Sequence, residues 1–203
     1  MEYKVVSSGS KGNCVIIGED VMVDCGVPIS HIKDDLYKVK YLIVTHIHTD
    51  HLRAKTMIAI QKQFPRIQII GNYEVAQSTD VTHIANAGYP VETKDYTFFP
   101  FPCVHDVLVY GYTWEYKKKK IIYATDTSTL EFAPDGPYDF LFLESNHDEK
   151  KLEEIRKHIN KGYDPYESGK RHLSTQQCKA FYYMNRRSPK SELIELHKSN
   201  RFY

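Results

Sequence analysis

Tyr41-Leu42-Ile43-Val44-Thr45-His46-Ile47-His48-Thr49-Asp50-His51-Leu52 is the stretch on which the reading of this chain turns. Its apolar start, free of polar alternation, has the pattern of a strand buried on both faces. Residues 46–51 then put three imidazoles and a carboxylate at the strand's exit, just ahead of a helical pattern. Alternate residues leaving a strand point the same way, so His46 and His48 can grip one ion. Asp50 and His51, at the turn into the helix, are displaced toward a second ion. Imidazole and carboxylate suit zinc, and also iron or manganese. A loop that is histidine-rich by accident has no reason to keep this phase.

Working outward, strand patterns occur at Tyr3 to Val6, Val15 to Gly18 and Val21 to Asp24, with Gly18-Glu19-Asp20 as a hairpin turn. Further apolar runs lie at Ile67 to Ile70, Ile121 to Thr125, Phe140 to Leu143 and Leu193 to Leu196. The spacing of Met57, Ile58, Ile60 and Phe64 predicts a helix over Leu52 to Phe64, stopped by Pro65. A charged surface helix is expected from Asp148 to Asn160. Ser174-Thr175-Gln176-Gln177 is a capping-box signature, with Cys178, Phe181 and Met184 expected on one face of the helix it opens. Residues 93 to 123 read as a meander with Lys117 to Lys120 near its turn. Hairpins mixed with strand–helix units predict an α/β fold of packed sheets with helices outside. Several strand runs end in potential ligands, at His46, Asp126, Glu144 and His197, and strand ends are where such folds build sites.

At 203 residues, 41% hydrophobic and 26% charged, the chain has the size and composition of one soluble globular domain, 1–203. No apolar run approaches the roughly 20 residues of a membrane helix, and no secretory apolar segment opens the sequence, so no membrane partner is expected. The net charge of +1 gives no general argument for nucleic acid; a phosphate-binding surface has to be local. Cys14, Cys25, Cys103 and Cys178 have no paired spacing and read as free thiols of a reducing cytoplasm.

His46-x-His48-x-Asp50-His51 resembles the signature of the metallo-β-lactamase superfamily, and Asp24, ending Val21-Met22-Val23-Asp24, resembles the aspartate that stands behind that family's ligands. The resemblance implies an αββα sandwich, two mixed β-sheets packed face to face with helices outside. It further implies that His105, in Pro102-Cys103-Val104-His105, is the next histidine ligand and that Asp126 bridges two ions. The pair His172 and His197 resembles the RNase Z branch and the single-domain YycJ-type exonucleases. There the histidine before a helix is catalytic without binding metal, and the strand-end histidine is a ligand. By that likeness His197 binds metal and His172 transfers a proton. Glu144, in Glu144-Ser145-Asn146-His147-Asp148, then orients His172, while His147 touches substrate or supports the site. The loop Ser8-Gly9-Ser10-Lys11-Gly12-Asn13-Cys14 resembles the same branch's first motif, which points to Ser10, Lys11 and Asn13 as phosphate contacts.

The implied site places His46, His48 and His105 on one ion and Asp50, His51 and His197 on the other, with Asp126 between. The cofactors expected are two divalent ions, zinc first and manganese as the alternative. Such ions lower the pKa of a shared water, with Asp50, Glu144 and His172 as the catalytic side chains. An acid for the departing oxygen matters more to a phosphodiester than to a thioester or lactone, the non-nuclease alternative. The YycJ-type likeness implies a DNA exonuclease, 5′ to 3′, of the small kind found in phages and bacteria. A cyclic-nucleotide phosphodiesterase of phage anti-defence type is the alternative, and a homodimer stays open. Lys117 to Lys120, and Arg186, Arg187 and Lys190, suit a DNA backbone, but solvated turns are the plainer account of them.

Overall fold

Runs of apolar residues too short for helices become the first sheet. The computed structural model describes residues 1–156 and 165–199. Six strands lie side by side in chain order: β1 (Tyr3–Ser7), β2 (Cys14–Ile17), β3 (Val21–Val23), β4 (Tyr41–Val44), β5 (Gln68–Gly71) and β6 (His83–Ile84). The first three pair antiparallel, and β3 through β6 pair parallel. Parallel neighbours need a crossover; α1 (Ala54–Gln63) and α2 (Tyr73–Ser78) lie in two of them. Strands β2, β3 and β4 are buried along their whole lengths, as their unalternating sequences require. Met22, Leu42 and Val44 join Met57 and Ile60 of α1 in one apolar cluster.

The second sheet holds β7 (Val91–Glu92), β8 (Thr97–Cys103), β9 (Val109–Tyr116), β10 (Lys119–Ala124), β11 (Phe140–Glu144) and β12 (Glu192–Leu196). Strands β8, β9 and β10 form the expected meander, and β11 and β12 add in parallel to β10. The β9–β10 turn is Lys117-Lys118, both with positive φ (48° and 64°), which suits a two-residue hairpin turn. Helices α3 (Glu149–Arg156), α4 (Pro165–Gly169) and α5 (Thr175–Asn185) complete this part. The chain divides into two compact units, Met1–Val91 and Glu92–Tyr203. Each unit repeats one plan, an antiparallel three-strand run followed by parallel additions, although the sequence carries no visible repeat.

The mixed sheets agree with the sequence reading, and some local expectations are corrected. Ile58 is exposed, because it lies about 100° around α1 from Met57, off the buried stripe of Thr56, Met57 and Ile60. Met184 is 76% exposed, and Asn185, seven residues on from Cys178, takes its expected place on the buried face of α5. The capping box forms as read: Ser174 accepts from the Gln177 amide and Gln177 answers to the Ser174 amide. Helix α1 begins at Ala54 and not at Leu52. The final part of the helix expected to reach Asn160 lies outside the described residues. Helix α2 and strands β6 and β7 were not anticipated, being too short to show a period. All four cysteines are free, and burial pushes the thiols of Cys25 and Cys178 up to about 12.

Asp139, just ahead of β11, ties three elements of the second unit. Its carboxylate accepts from the Lys120 amide (3.0 Å), Lys119 Nζ (3.1 Å) and Arg187 Nε (2.9 Å). Burial pushes its pKa up, but these donors outweigh burial and hold it below the usual carboxylate range. A group whose folded pKa is depressed adds stability above its unfolded value, about 4, and that stability is lost as pH falls through the folded value. Asp139→Asn should therefore cost about 2 kcal/mol at pH 7. The deficit should shrink as the solution is acidified below about pH 4. Urea unfolding of both proteins across that range is the check; a deficit independent of pH would refute the account.

Candidate active site

Strand β4 carries Thr45 and His46 out of the sheet, and the chain then doubles back at once. The amides of His51 and Leu52 both donate to the His48 carbonyl, at 2.9 and 2.7 Å, so a tight turn replaces the first turn of a helix. This brings the His46 ring to 4.7 Å from that of His48 and 4.1 Å from that of His51, centroid to centroid. Behind them lies Asp24, fully buried and in the left-handed region (φ 62°) directly after β3. It accepts from the Thr45 amide (2.8 Å), the Thr45 hydroxyl and His51 Nδ1 (2.7 Å). A carboxylate here only accepts, so His51 carries its proton on Nδ1 and offers a lone pair at Nε2. With its own proton given to Asp24, the Thr45 hydroxyl accepts from His46 Nδ1 at 3.0 Å, which fixes the same tautomer there.

The corner at Asp50 is clamped by backbone. The Asn13 amide donates to the Asp50 carbonyl (2.6 Å), the Cys25 amide to the His51 carbonyl (2.8 Å), and the Gly26 amide to the Asn13 carbonyl (3.0 Å). Gly26 is required by space: a Cβ there would stand 1.6 Å from the Asp50 carbonyl oxygen.

The second unit gathers its own cluster. Ligand atoms of Asp126, Glu144, His172 and His197 all lie within 4.8 Å of one another. Asp126, past the end of β10, and His197, immediately after β12, again adopt positive φ, 54° and 55°. Glu144 ends β11 fully buried and accepts from His172 Nδ1 (2.7 Å), His197 Nδ1 (2.9 Å) and the Thr127 and Leu173 amides (2.9 and 3.3 Å). Burial alone would raise its pKa, yet the hydrogen bond and charge of His172 and the hydrogen bond of His197 hold it below the ordinary range. Burial works against a charge on His172, but Glu144 and then Asp126 outweigh it and raise its pKa above that of an ordinary histidine. His105 follows β8, its Nε2 3.9 Å from Asp126 Oδ1 and 3.2 Å from Asp106 Oδ1.

The expected residues therefore fall into two sets. His46, His48, Asp50, His51, Asp24 and Asn13 assemble in the first unit; His105, Asp126, Glu144, His172 and His197 assemble in the second. His147 is buried, its pKa lowered by burial, and its Nδ1 has no hydrogen-bond partner among the described residues. Ser10 and Lys11 are exposed, whereas Asn13 is buried. The sequence reading missed Thr45, Thr127, Asn146 and Gly26. Thr127 joins Glu144 to the loop of His105, since its hydroxyl accepts from the Val104 amide at 3.0 Å. Asn146 donates to the His197 carbonyl at 2.8 Å. Thr45, Thr127 and Asn146 each neighbour a residue already singled out, and that adjacency was their only signal in the sequence; Gly26 had none.

The donor chemistry fits divalent ions. His51 and His197 each give Nδ1–H to a buried carboxylate, which leaves Nε2 as the ring atom that could take an ion, the arrangement that supports metal-binding imidazoles. The buried Cys14 and Cys25 beside the first cluster stay as thiols, with pKa values raised by burial, and are not ligands.

Residues 20–173 match the family model described as a beta-lactamase superfamily domain. No curated protein matches the chain by sequence. Among solved structures it resembles the metallo-beta-lactamase fold protein YhfI from Bacillus subtilis, at 17% identity and a TM-score of 0.68, over 98% of this chain and 86% of that one. It resembles the short form of human tRNase Z at 15% identity and a TM-score of 0.71, over 99% and 93% of the two chains. A diphosphatase of the PhnP family shares 16% identity with a TM-score of 0.62, over 98% and 86%. No helix among the described residues is long and apolar enough to cross a membrane.

The clamp on Asp50 can be tested through its missing side chain. Gly26→Ala should cost about 3 kcal/mol or more, because backbone must move on both sides of the contact. Gly88→Ala is the control: φ is +81° but nothing stands within 4 Å, so a cost of about 1 kcal/mol from the left-handed backbone is expected. Equal losses in chemical denaturation would show that the contact at Gly26 is not rigid.

Proposed function

The chain belongs to the beta-lactamase superfamily domain family and has the metallo-β-lactamase fold of metal-dependent hydrolases, and from that premise we propose that it is a dinuclear phosphodiesterase acting on nucleic acid, a DNA exonuclease working 5′ to 3′. His46, His48, Asp50 and His51 of the first unit, and His105, Asp126 and His197 of the second, are the proposed ligands of two divalent ions. Divalent ions bound there, zinc or manganese, would acidify water and offset the charge of phosphate oxygens.

The observation that carries the reading is the hydrogen bond from His172 Nδ1 to Glu144, at 2.7 Å, with the His172 ring 5.1 Å from that of His197. A histidine whose charged form is favoured by a buried carboxylate, beside the proposed ligand His197, is an acid placed to protonate a departing alkoxide. Phosphodiester cleavage needs that proton, because an alkoxide is a poor leaving group; opening a thioester or lactone needs it less. A tRNase and a diphosphatase among the structural relatives support phosphate chemistry in the same direction. Lys11 and Ser10, exposed in the opening loop, are the proposed phosphate contacts, with His147 as a further substrate contact.

Two variants separate the roles. His197→Ala should lose bound metal, whereas His172→Ala should keep metal and lose turnover by about 100-fold or more. The reverse pattern exchanges the two assignments. Purified protein with Mn²⁺ or Zn²⁺, offered linear DNA, RNA and 3′,5′-cyclic nucleotides side by side, tests the substrate. Degradation of DNA from its 5′ ends is the expected result; cleavage of cyclic nucleotides with DNA untouched would overturn the substrate reading and leave the fold as it is.

A further inference from the structure

Asn13 closes a loop whose preceding Ser10 and Lys11 face solvent, yet Asn13 itself is 1% exposed. Its carboxamide can sit only one way round. Oδ1 accepts from the Gly9 amide at 2.7 Å, which requires the oxygen there and turns the NH₂ group toward Asp50 and His51. Nδ2 lies 2.8 Å from His51 Nε2 and 3.3 Å from Asp50 Oδ2. Those two atoms are both acceptors: Asp50 is a carboxylate, and His51 has its proton on Nδ1, held by Asp24. They stand 3.7 Å apart. Left to themselves, two lone pairs at that distance repel, and the rotamers of both side chains would drift.

We propose that Asn13 is a positioning residue for the Asp50–His51 pair, its NH₂ group bridging the two acceptors and holding them in the arrangement that takes a divalent ion, and that it is not a contact for substrate phosphate. The proposal rests on the reading of Asp50 and His51 as ligands. A carboxamide NH₂ offers two hydrogens and the positive end of a dipole. It thus gives the pair, without net charge, the electrostatic environment that a cation gives it. When an ion takes the acceptors, the same NH₂ group keeps partners at the Gly9 and Asp50 carbonyls, 3.2 and 3.4 Å away. The backbone of Asn13 serves the same end, since its amide already clamps the Asp50 carbonyl.

The test uses chelator-stripped protein titrated with Zn²⁺ alone, read by calorimetry and by thermal unfolding with and without the ion. Wild type should take up two ions. Asn13→Ala should keep one and bind the other about 10- to 100-fold more weakly. Asn13→Asp keeps the acceptor for Gly9 but puts a third acceptor where the donor was. Its metal-free form should melt below wild type, and Zn²⁺ should raise its melting temperature by more than it raises that of wild type. Should Asn13→Ala fail to fold, this second variant decides alone. Two ions bound as tightly by Asn13→Ala as by wild type, with only KM for DNA raised, would overturn the proposal and make Asn13 a substrate contact. Wild type that takes up no ion would instead overturn the ligand reading itself.

Discussion

A carboxylate that is buried and hydrogen-bonded to imidazole Nδ1 is the constraint on which the rest of this molecule depends. Ionised carboxylates are costly to bury unless several donors meet them. Asp24 meets Thr45 twice and His51 once, and Glu144 meets two imidazoles and two amides. Those donors can converge only if strand ends, turns and a helix approach are set to within a few tenths of an ångström. The apolar sheets supply that rigidity. The hydrogen bonds in turn decide which nitrogen of each ring remains available, so tautomer choice in this chain is a property of the fold.

The same device appears in both units. Asp24 leaves the third strand of the first meander with a left-handed backbone, and Asp126 leaves the third strand of the second meander in the same way. His197 does so after β12. Outside glycine the left-handed region costs roughly 1–2 kcal/mol per residue, with Asp and His among the side chains that meet it most readily. Turning the chain so sharply swings a side chain out of the strand's alternation and toward the sheet's end. The sequences of the two units share no visible repeat, yet an aspartate with positive φ follows the third meander strand in each.

What could be read from sequence was what depends on short-range pattern. The buried strand at 41–44 and its histidine-rich exit were legible because apolar runs and clustered imidazoles are local signals. The capping box at Ser174 and the turn at Lys117-Lys118 were legible for the same reason. Ile58 and Met184 misled because apolar character was counted without following each residue's angle around its helix. Thr45, Thr127 and Asn146 were invisible as site residues, since a threonine or asparagine gains its meaning only from partners far along the chain. Gly26 was harder still: its importance is the nearness of the Asp50 carbonyl, which no property of residues 25–27 announces. Asn13 was singled out with its loop, by likeness to a motif; that it is buried where Ser10 and Lys11 are exposed is not readable from the loop's composition.

Glu144 also limits how this molecule can change over generations. One oxygen of that carboxylate receives both His172 and His197. On the proposed reading these rings serve different tasks, proton delivery and ion binding. A substitution that retunes one task necessarily disturbs the other, so the two cannot be optimised by independent mutations at this position. Adaptation to a new leaving group or a new ion must instead come through residues that touch only one ring, such as Asn146 beside His197. The shared carboxylate is thus a point of pleiotropy built from a single hydrogen-bond acceptor, and variation in descendants of this chain should accumulate around it while leaving it alone.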